Sequence, residues 1–228
     1  MVFQYISHMK IIGLIPARGG SKGIPKKNLA PIAGSTLVGH KISQALSSKC
    51  TEVWVSTDSD EIRDESISKG SRVLIRPEEL STDESSTESV LVHAIENIPC
   101  SLNDIFVLLQ ATSPLIQVSS INLCISKLVE NTEINSVITV REAHPFMWTT
   151  RDDLNWDPLG HSRLWRPRRQ DLERSGWETG GCYAARVFAI GKEGIRSPSP
   201  TATVGVTFIE SIDVDTSEDL ELARSLLR

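Results

Sequence analysis

The sequence predicts an α/β fold built on a mostly parallel sheet flanked by helices. Three observations predict it. Short apolar runs bounded by turn residues alternate with longer segments of helical periodicity. The runs are rich in Ile, Val and Leu without strict polar alternation, as strands covered on both faces require. Repeated strand–helix units then imply crossovers that lay helices on both sides of the sheet.

The elements follow in order. Residues 11–15 are an apolar run that ends in a Gly/Pro-rich loop. Residues 36–48 carry Leu37, Ile42, Ala45 and Leu46 at helical spacing, and 52–56 read as a second strand. Ser59, Asp60 and Glu61 open a helix with a capping residue and early acids, and Gly70 closes it. Residues 72–75 are a third strand, 87–98 a helix and 105–109 a strong fourth strand. Helix 118–130 offers Ile121, Leu123, Cys124, Ile125 and Leu128 as its apolar members, and 136–140 is another strand. The regularity breaks over 141–178, which holds Trp148, Trp156, Trp165 and Trp177 among many charges and prolines, and reads as an insertion projecting from the sheet. Residues 181–187 and 203–212 are strand-like, and Ser217-Glu218-Asp219 caps a last helix. A single domain over residues 9–228 is expected, with an inserted arm at 141–178 and an N-terminal extension at 1–8.

Composition narrows the function. A chain of 228 residues with 39% hydrophobic residues can bury a substantial core. Its formal net charge of −5 argues against a nucleic-acid coat, which needs net or clustered positive charge, but leaves room for a local basic site. No apolar run approaches the ~20 residues of a membrane span, and the N-terminus has neither the basic region nor the apolar stretch of a signal peptide. Cys50, Cys100, Cys124 and Cys182 form no CxxC pair and have no histidine at metal-ligand spacing. Free thiols in a reducing, cytoplasmic compartment are the expectation.

The most informative segment runs from Pro16 to Asn28, directly after the first strand: PARGGSKGIPKKN. Its glycines let backbone N–H groups approach a ligand, and Arg18, Lys22, Lys26 and Lys27 concentrate cations there. This suits a polyphosphate, although the spacing is neither a Walker loop nor GxGxxG. A solvated basic turn is the bland alternative. Far along the chain, Asp213 and Asp215 alternate in an expected strand and so share a face. Two carboxylates on one face repel unless a cation sits between them, and Mg²⁺ or Mn²⁺ is the natural occupant. Capping of the last helix is the competing role.

The string from Ala17 to Leu29 resembles the signature of the CMP-sialic acid synthetases, the acylneuraminate cytidylyltransferases. The resemblance continues in order through VSTD at 55–58, RPEELSTD at 76–83, LLQATSPL at 108–115, RRQD at 168–171 and IDVDT at 212–216. It implies a Rossmann-like nucleotidyltransferase fold with a small dimerisation insertion, hence a homodimer. It also implies transfer of CMP from CTP to the anomeric hydroxyl of a nonulosonic acid, with release of pyrophosphate. By that resemblance Arg18, Lys22 and Lys27 contact the phosphates, with Ser21 and the loop amides of Ala17 and Gly19 assisting. Asn28, Arg76 and Ser86 serve the nucleoside, Arg76 reading cytosine. Gln110, Thr112, Ser113, Arg169 and Gly181 serve the sugar acid, and Asp213 and Asp215 hold the metal. Thr112 and Ser113 could instead bond local backbone in a turn. Arg163, Arg166, Arg168 and Arg169 form a basic cluster that suits a carboxylated substrate or a solvated arm.

The match departs from the family in two places. Ile116 stands where Arg is usual, and Phe146-Met147-Trp148 follows His144-Pro145 where a lysine is common. Both changes remove a cation and add apolar surface, so the sugar half is expected to take a less common nonulosonate such as KDN, legionaminate or pseudaminate. Two other functions remain open: a nucleotidyltransferase on another acceptor, such as 3-deoxy-octulosonate, and a non-catalytic nucleotide-binding regulator.

Overall fold

The computed structural model describes residues 9–21, 23–143, 146–152, 154–165 and 167–227, and of Arg169 the backbone alone. The extension 1–8, Lys22, His144, Pro145 and Arg166 lie outside the described residues.

A seven-stranded sheet forms the centre. It contains β1 (Ile11–Pro16), β4 (Glu52–Thr57), β5 (Arg72–Ile75), β6 (Ile105–Leu108), β7 (Ser136–Glu142), β10 (Gly176–Arg186) and β11 (Thr201–Gly205). The strand order is β11-β7-β10-β6-β1-β4-β5. The pairs β1–β4, β1–β6, β4–β5 and β7–β11 are parallel, while β10 runs antiparallel to both β6 and β7. Two small hairpins complete the strands: β2 (Pro31–Ile32) with β3 (Ser35–Thr36), and β8 (Met147–Thr150) with β9 (Trp156–Leu159).

The central strands are covered on both faces, and their residues sort by parity. Ile15, Val53, Val55, Ile105, Val107 and Cys182 face α1 (Leu37–Leu46), α2 (Asp60–Ser68) and α4 (Val118–Glu130). Ile12, Leu14, Phe106, Leu108, Tyr183 and Ala185 face α3 (Thr87–Asn97) and α5 (Val187–Glu193). Period-two alternation within apolar runs thus feeds two cores at once. Each large side chain so buried stabilises the fold by about 2 kcal/mol. A third, smaller cluster joins Ile24, Ile32, Leu37, Leu115 and Val214 to Leu220 and Ala223 of α6 (Ser217–Leu226). It packs the basic loop and the C-terminal helix together beneath the site.

Several expectations are corrected. The strand expected over 203–212 stops at Gly205. Glu210 then holds the following turn, accepting from Thr207 N and Oγ1 at 3.1 Å each and from Ser120 Oγ at 2.5 Å. Helix α5 was not anticipated, because its Val-Phe-Ala-Ile start continues the apolar run of β10. The last helix is capped by Thr216 rather than Ser217, in a capping box with Asp219 that is worth about 1 kcal/mol. The strand expected at 181–187 begins earlier, at Gly176, and bulges between Glu178 and Tyr183 opposite β7. Thr139 Oγ1 fills that bulge, bonding Thr179 Oγ1 at 2.8 Å and accepting from Cys182 N at 3.1 Å. Among the described residues no helix is long and apolar enough to cross a membrane.

Candidate active site

The carboxyl ends of β1, β5 and β6 open into one cavity of about 310 Å³. Ligands in open α/β sheets bind at such strand ends. Arg18, Ser21, Lys27, Asn28, Arg76, Ser86, Gln110, Thr112, Asp213 and Asp215 all line it.

The basic loop is held in place by its neighbours. Gly19 N donates to Asp58 Oδ1 at 2.9 Å, and Asn28 Nδ2 donates to Arg18 O at 2.9 Å. Arg18 Nη1 bonds Thr82 O at 2.9 Å and pairs with Asp83 at 2.8 Å. Gly23 lies so close to the C-terminal segment that a Cβ there would meet Asp215 O at 2.6 Å. Lys27 Nζ reaches across to Val214 O at 3.0 Å and Asp215 Oδ1 at 3.1 Å. Lys26 turns away and pairs with Glu61 at 2.7 Å.

Arg76 is 6% exposed. Burial lowers its pKa to about 10; Asp58 opposes that shift and Arg18 adds to it. Its Nε and Nη2 are committed to Ser56 Oγ and Ser56 O, at 3.2 and 2.6 Å, and among the described residues Nη1 has no such bond. Ser86 caps α3 by accepting from Ser89 N at 3.1 Å. The N-terminus of that helix, with Ser85 and Thr87, forms a wall where the helix dipole favours an anion.

Asp213 and Asp215 do not sit in a sheet strand, as was expected. Their segment lies outside the sheet ladders and is held by Val214 N to Thr112 O at 2.7 Å and Asp215 N to Asp219 Oδ2 at 3.1 Å. The alternation survives without the ladder: Val214 is fully buried and both neighbours line the cavity. Asp213 Oδ1 accepts from Ser113 Oγ at 3.1 Å. Among the described residues no cluster of three or more His, Cys, Asp or Glu could hold a metal. Two carboxylates beside a cationic loop fit a cation that would complete its shell with oxygens of a ligand and water.

Other expected residues stand behind the cavity. Ala17 is buried and donates its N–H to Ser56 O at 2.9 Å. Ser113 is buried as well, and acts on Asp213 rather than lining the cavity. Gly181 is buried against Ile116 and Thr139. Gly19 faces Ser59, and Gly20 takes the lining position instead. Lys22 and the Arg169 side chain lie outside the described residues. Ile116 is 1% exposed in the main core, so this departure adds no apolar surface to the site. Met147 and Trp148 belong to β8 of the arm and are absent from the cavity lining. Arg163 stacks over Trp148 at 5.1 Å and pairs with Asp157 at 3.0 Å, and Arg168 pairs with Asp171 at 3.4 Å. These two arm cations are therefore engaged within the arm.

Comparison with known proteins bears on the family and the fold. The chain is similar to an N-acylneuraminate cytidylyltransferase of Streptococcus agalactiae serotype III (strain NEM316), 32% identical over 218 residues, covering 92% of this chain and 52% of that protein. It is similar to N-acylneuraminate cytidylyltransferase B of Danio rerio, 36% identical over 179 residues, covering 77% of this chain and 42% of that protein. The chain thus spans about half the length of these relatives. Its fold matches a CMP:2-keto-3-deoxy-manno-octonic acid synthetase complexed with CTP, at a TM-score of 0.71 and 22% identity over 96% of this chain and 98% of that one. It also matches a 4-diphosphocytidyl-2C-methyl-D-erythritol synthase, at a TM-score of 0.73 and 14% identity over 96% and 99%. Residues 12–157 match the cytidylyltransferase family directly, and the chain belongs to that family.

Proposed function

We propose that this chain transfers the cytidylyl group of CTP to the anomeric hydroxyl of a nonulosonic acid and releases pyrophosphate. The observation that carries the reading is the meeting of Lys27 with Asp215 at 3.1 Å: the cationic loop and the carboxylate pair face one cavity. A triphosphate needs both, cations against its oxygens and carboxylates for a counter-ion.

Each residue then has a task. Arg18 and Lys27 neutralise the phosphates, without the amides of Ala17 and Gly19, which are bonded to Ser56 O and Asp58. Arg76 Nη1 donates to the carbonyl of the cytosine, and Ser86 with the α3 N-terminus borders the nucleoside. Asp213 and Asp215 hold Mg²⁺ or Mn²⁺, which when bound offsets charge on the phosphate oxygens. Gln110 orients the sugar acid beside them. Holding the acceptor hydroxyl in line with the α-phosphate, together with charge neutralisation at the phosphates, supplies the rate, with no covalent intermediate on the protein.

The arm exposes Trp148, Trp156, Leu159, Leu164 and Trp165. Aromatics of this kind anchor interface cores, and a second copy of the chain is the partner proposed for them. Equilibrium sedimentation of the protein and of its Trp156→Glu variant tests this, a dimer and a monomer being expected. The four cysteines are free, which suits a cytoplasmic enzyme.

The reaction is tested by pyrophosphate release with CTP and Mg²⁺ across a panel of 2-keto-3-deoxy sugar acids. Release with a nonulosonate, with CTP and not with ATP, is expected. Release with 3-deoxy-octulosonate alone would shift the acceptor class, and CTP binding with silence across the panel would point to the regulator.

A further inference from the structure

Lys41 has no exposed surface and is among the largest fully buried side chains of the protein. Its Nζ donates to Ser113 O at 2.8 Å, in the core between α1 and the sheet. One neutral acceptor is poor compensation for an ammonium out of water, and desolvation pulls its pKa down to about 7, with Cys182 and Asp213 pulling the other way. A methionine would pack at such a site without that cost.

The accepting carbonyl explains what the lysine does there. Ser113 lies in the turn after β6 that carries Gln110 and Thr112 into the cavity. Its carbonyl is held by Lys41, while its hydroxyl donates to Asp213 Oδ1 at 3.1 Å. Neighbouring side chains of α1 grip the same segment: His40 Nε2 lies 3.0 Å from Pro114 O, and Gln44 Nε2 donates to Pro114 O and Ile116 O at 2.9 and 2.7 Å.

We infer that Lys41 is a positioning residue for the carboxylate pair, fixing Ser113 from behind and, through the Ser113 hydroxyl, the orientation of Asp213. The inference rests on the reading of Asp213 and Asp215 as the metal-holding pair. It makes Lys41 a residue retained at a cost to stability because it sets the geometry of the site.

Lys41→Met tests it in the full-length protein, since it keeps length and volume and removes the donor. At neutral pH its melting temperature is expected to equal or exceed that of the unmodified protein. Its Mn²⁺ affinity in the presence of CTP, read by electron paramagnetic resonance, is expected to fall about tenfold. Ser113→Ala should weaken Mn²⁺ similarly, and the double variant should be no worse than either single one. Lys41→Met that melts lower and loses metal affinity in proportion would reduce Lys41 to a packing residue. Unchanged Mn²⁺ affinity in Lys41→Met, or full additivity with Ser113→Ala, would overturn the inference while leaving the carboxylate reading intact. Failure of the unmodified protein to bind Mn²⁺ with CTP would overturn the carboxylate reading itself.

Discussion

Gly180 lies directly over Gln110: a Cβ on Gly180 would stand 2.5 Å from Gln110 Oε1. The bulge of β10 and the turn after β6 are thus locked together where the sugar acid is proposed to bind. Gly180 also has φ +69°, a left-handed conformation that costs other residues about 1–2 kcal/mol. Gly180→Ala is therefore expected to displace Gln110, raising KM for the acceptor about tenfold while KM for CTP stays unchanged. Steady-state kinetics with each substrate varied in turn will check it, and an equal rise in both KM values would count against a sugar-side role.

Lys27 links the loop to the C-terminal segment and pairs with the Asp215 carboxylate. Lys27→Met should lower kcat about 100-fold, the usual scale for loss of one charge-stabilising donor, with the fold retained. Pyrophosphate release at saturating CTP measures this. A loss of threefold or so would mean that Lys27 only clamps Val214.

Glu210 secures the turn that leads to Asp213. Burial pushes its carboxyl pKa up, but hydrogen bonds from Ser120, Thr207 and Gln117 outweigh burial and hold it below the ordinary value. A carboxyl lowered in the folded state stabilises above its unfolded pKa, and that contribution is lost as pH falls through the folded value. Glu210→Ala is expected to cost about 2–3 kcal/mol at neutral pH, and less in acid. Denaturant melts of both proteins across the acid range will show whether the gap closes.

Lys41 gives a dependence of the same sign in a higher pH window. Its pKa is lowered from 10.5 to about 7 by burial, so between these values the unfolded chain holds a proton that the folded chain lacks. Stability then rises with pH across that window, by about 1.4 kcal/mol per unit. The cost of burying the ammonium is fully present below about 7. Any thermal advantage of Lys41→Met should therefore be greatest at or below neutrality and shrink toward pH 10 or so. A melting-temperature difference that is flat with pH would mean that Lys41 keeps its proton in the folded chain, with no lowering of its pKa.

Much of this was legible in the residues. The apolar runs marked β1, β4, β6 and β7, and Ser59 marked the start of α2, because those signals are local. Other features depend on contacts between distant segments. The antiparallel direction of β10 follows from where the arm returns the chain and leaves no trace in periodicity. Leu46 was expected inside α1 and is 46% exposed, whereas Lys41, which any pattern assigns to solvent, is buried. The turn over 207–211 has strand-like β-branched residues, but Glu210 folds it back toward the start of α4. Ala17, Ser113 and Gly181 belong to motif strings that also reach the cavity, and a string does not tell which of its members faces the ligand.

The arm leaves the sheet at Glu142 and re-enters at Gly176, and these two residues are partners in the β7–β10 pairing. Its entrance and exit thus form a fixed doorway whose width does not depend on what lies between them. Lengthening or exchanging the arm costs only loop-closure entropy, about 0.6 kcal/mol for each doubling of its length. The arm can therefore be exchanged there as a cassette, while the cavity floor between β1 and α6 keeps its shape.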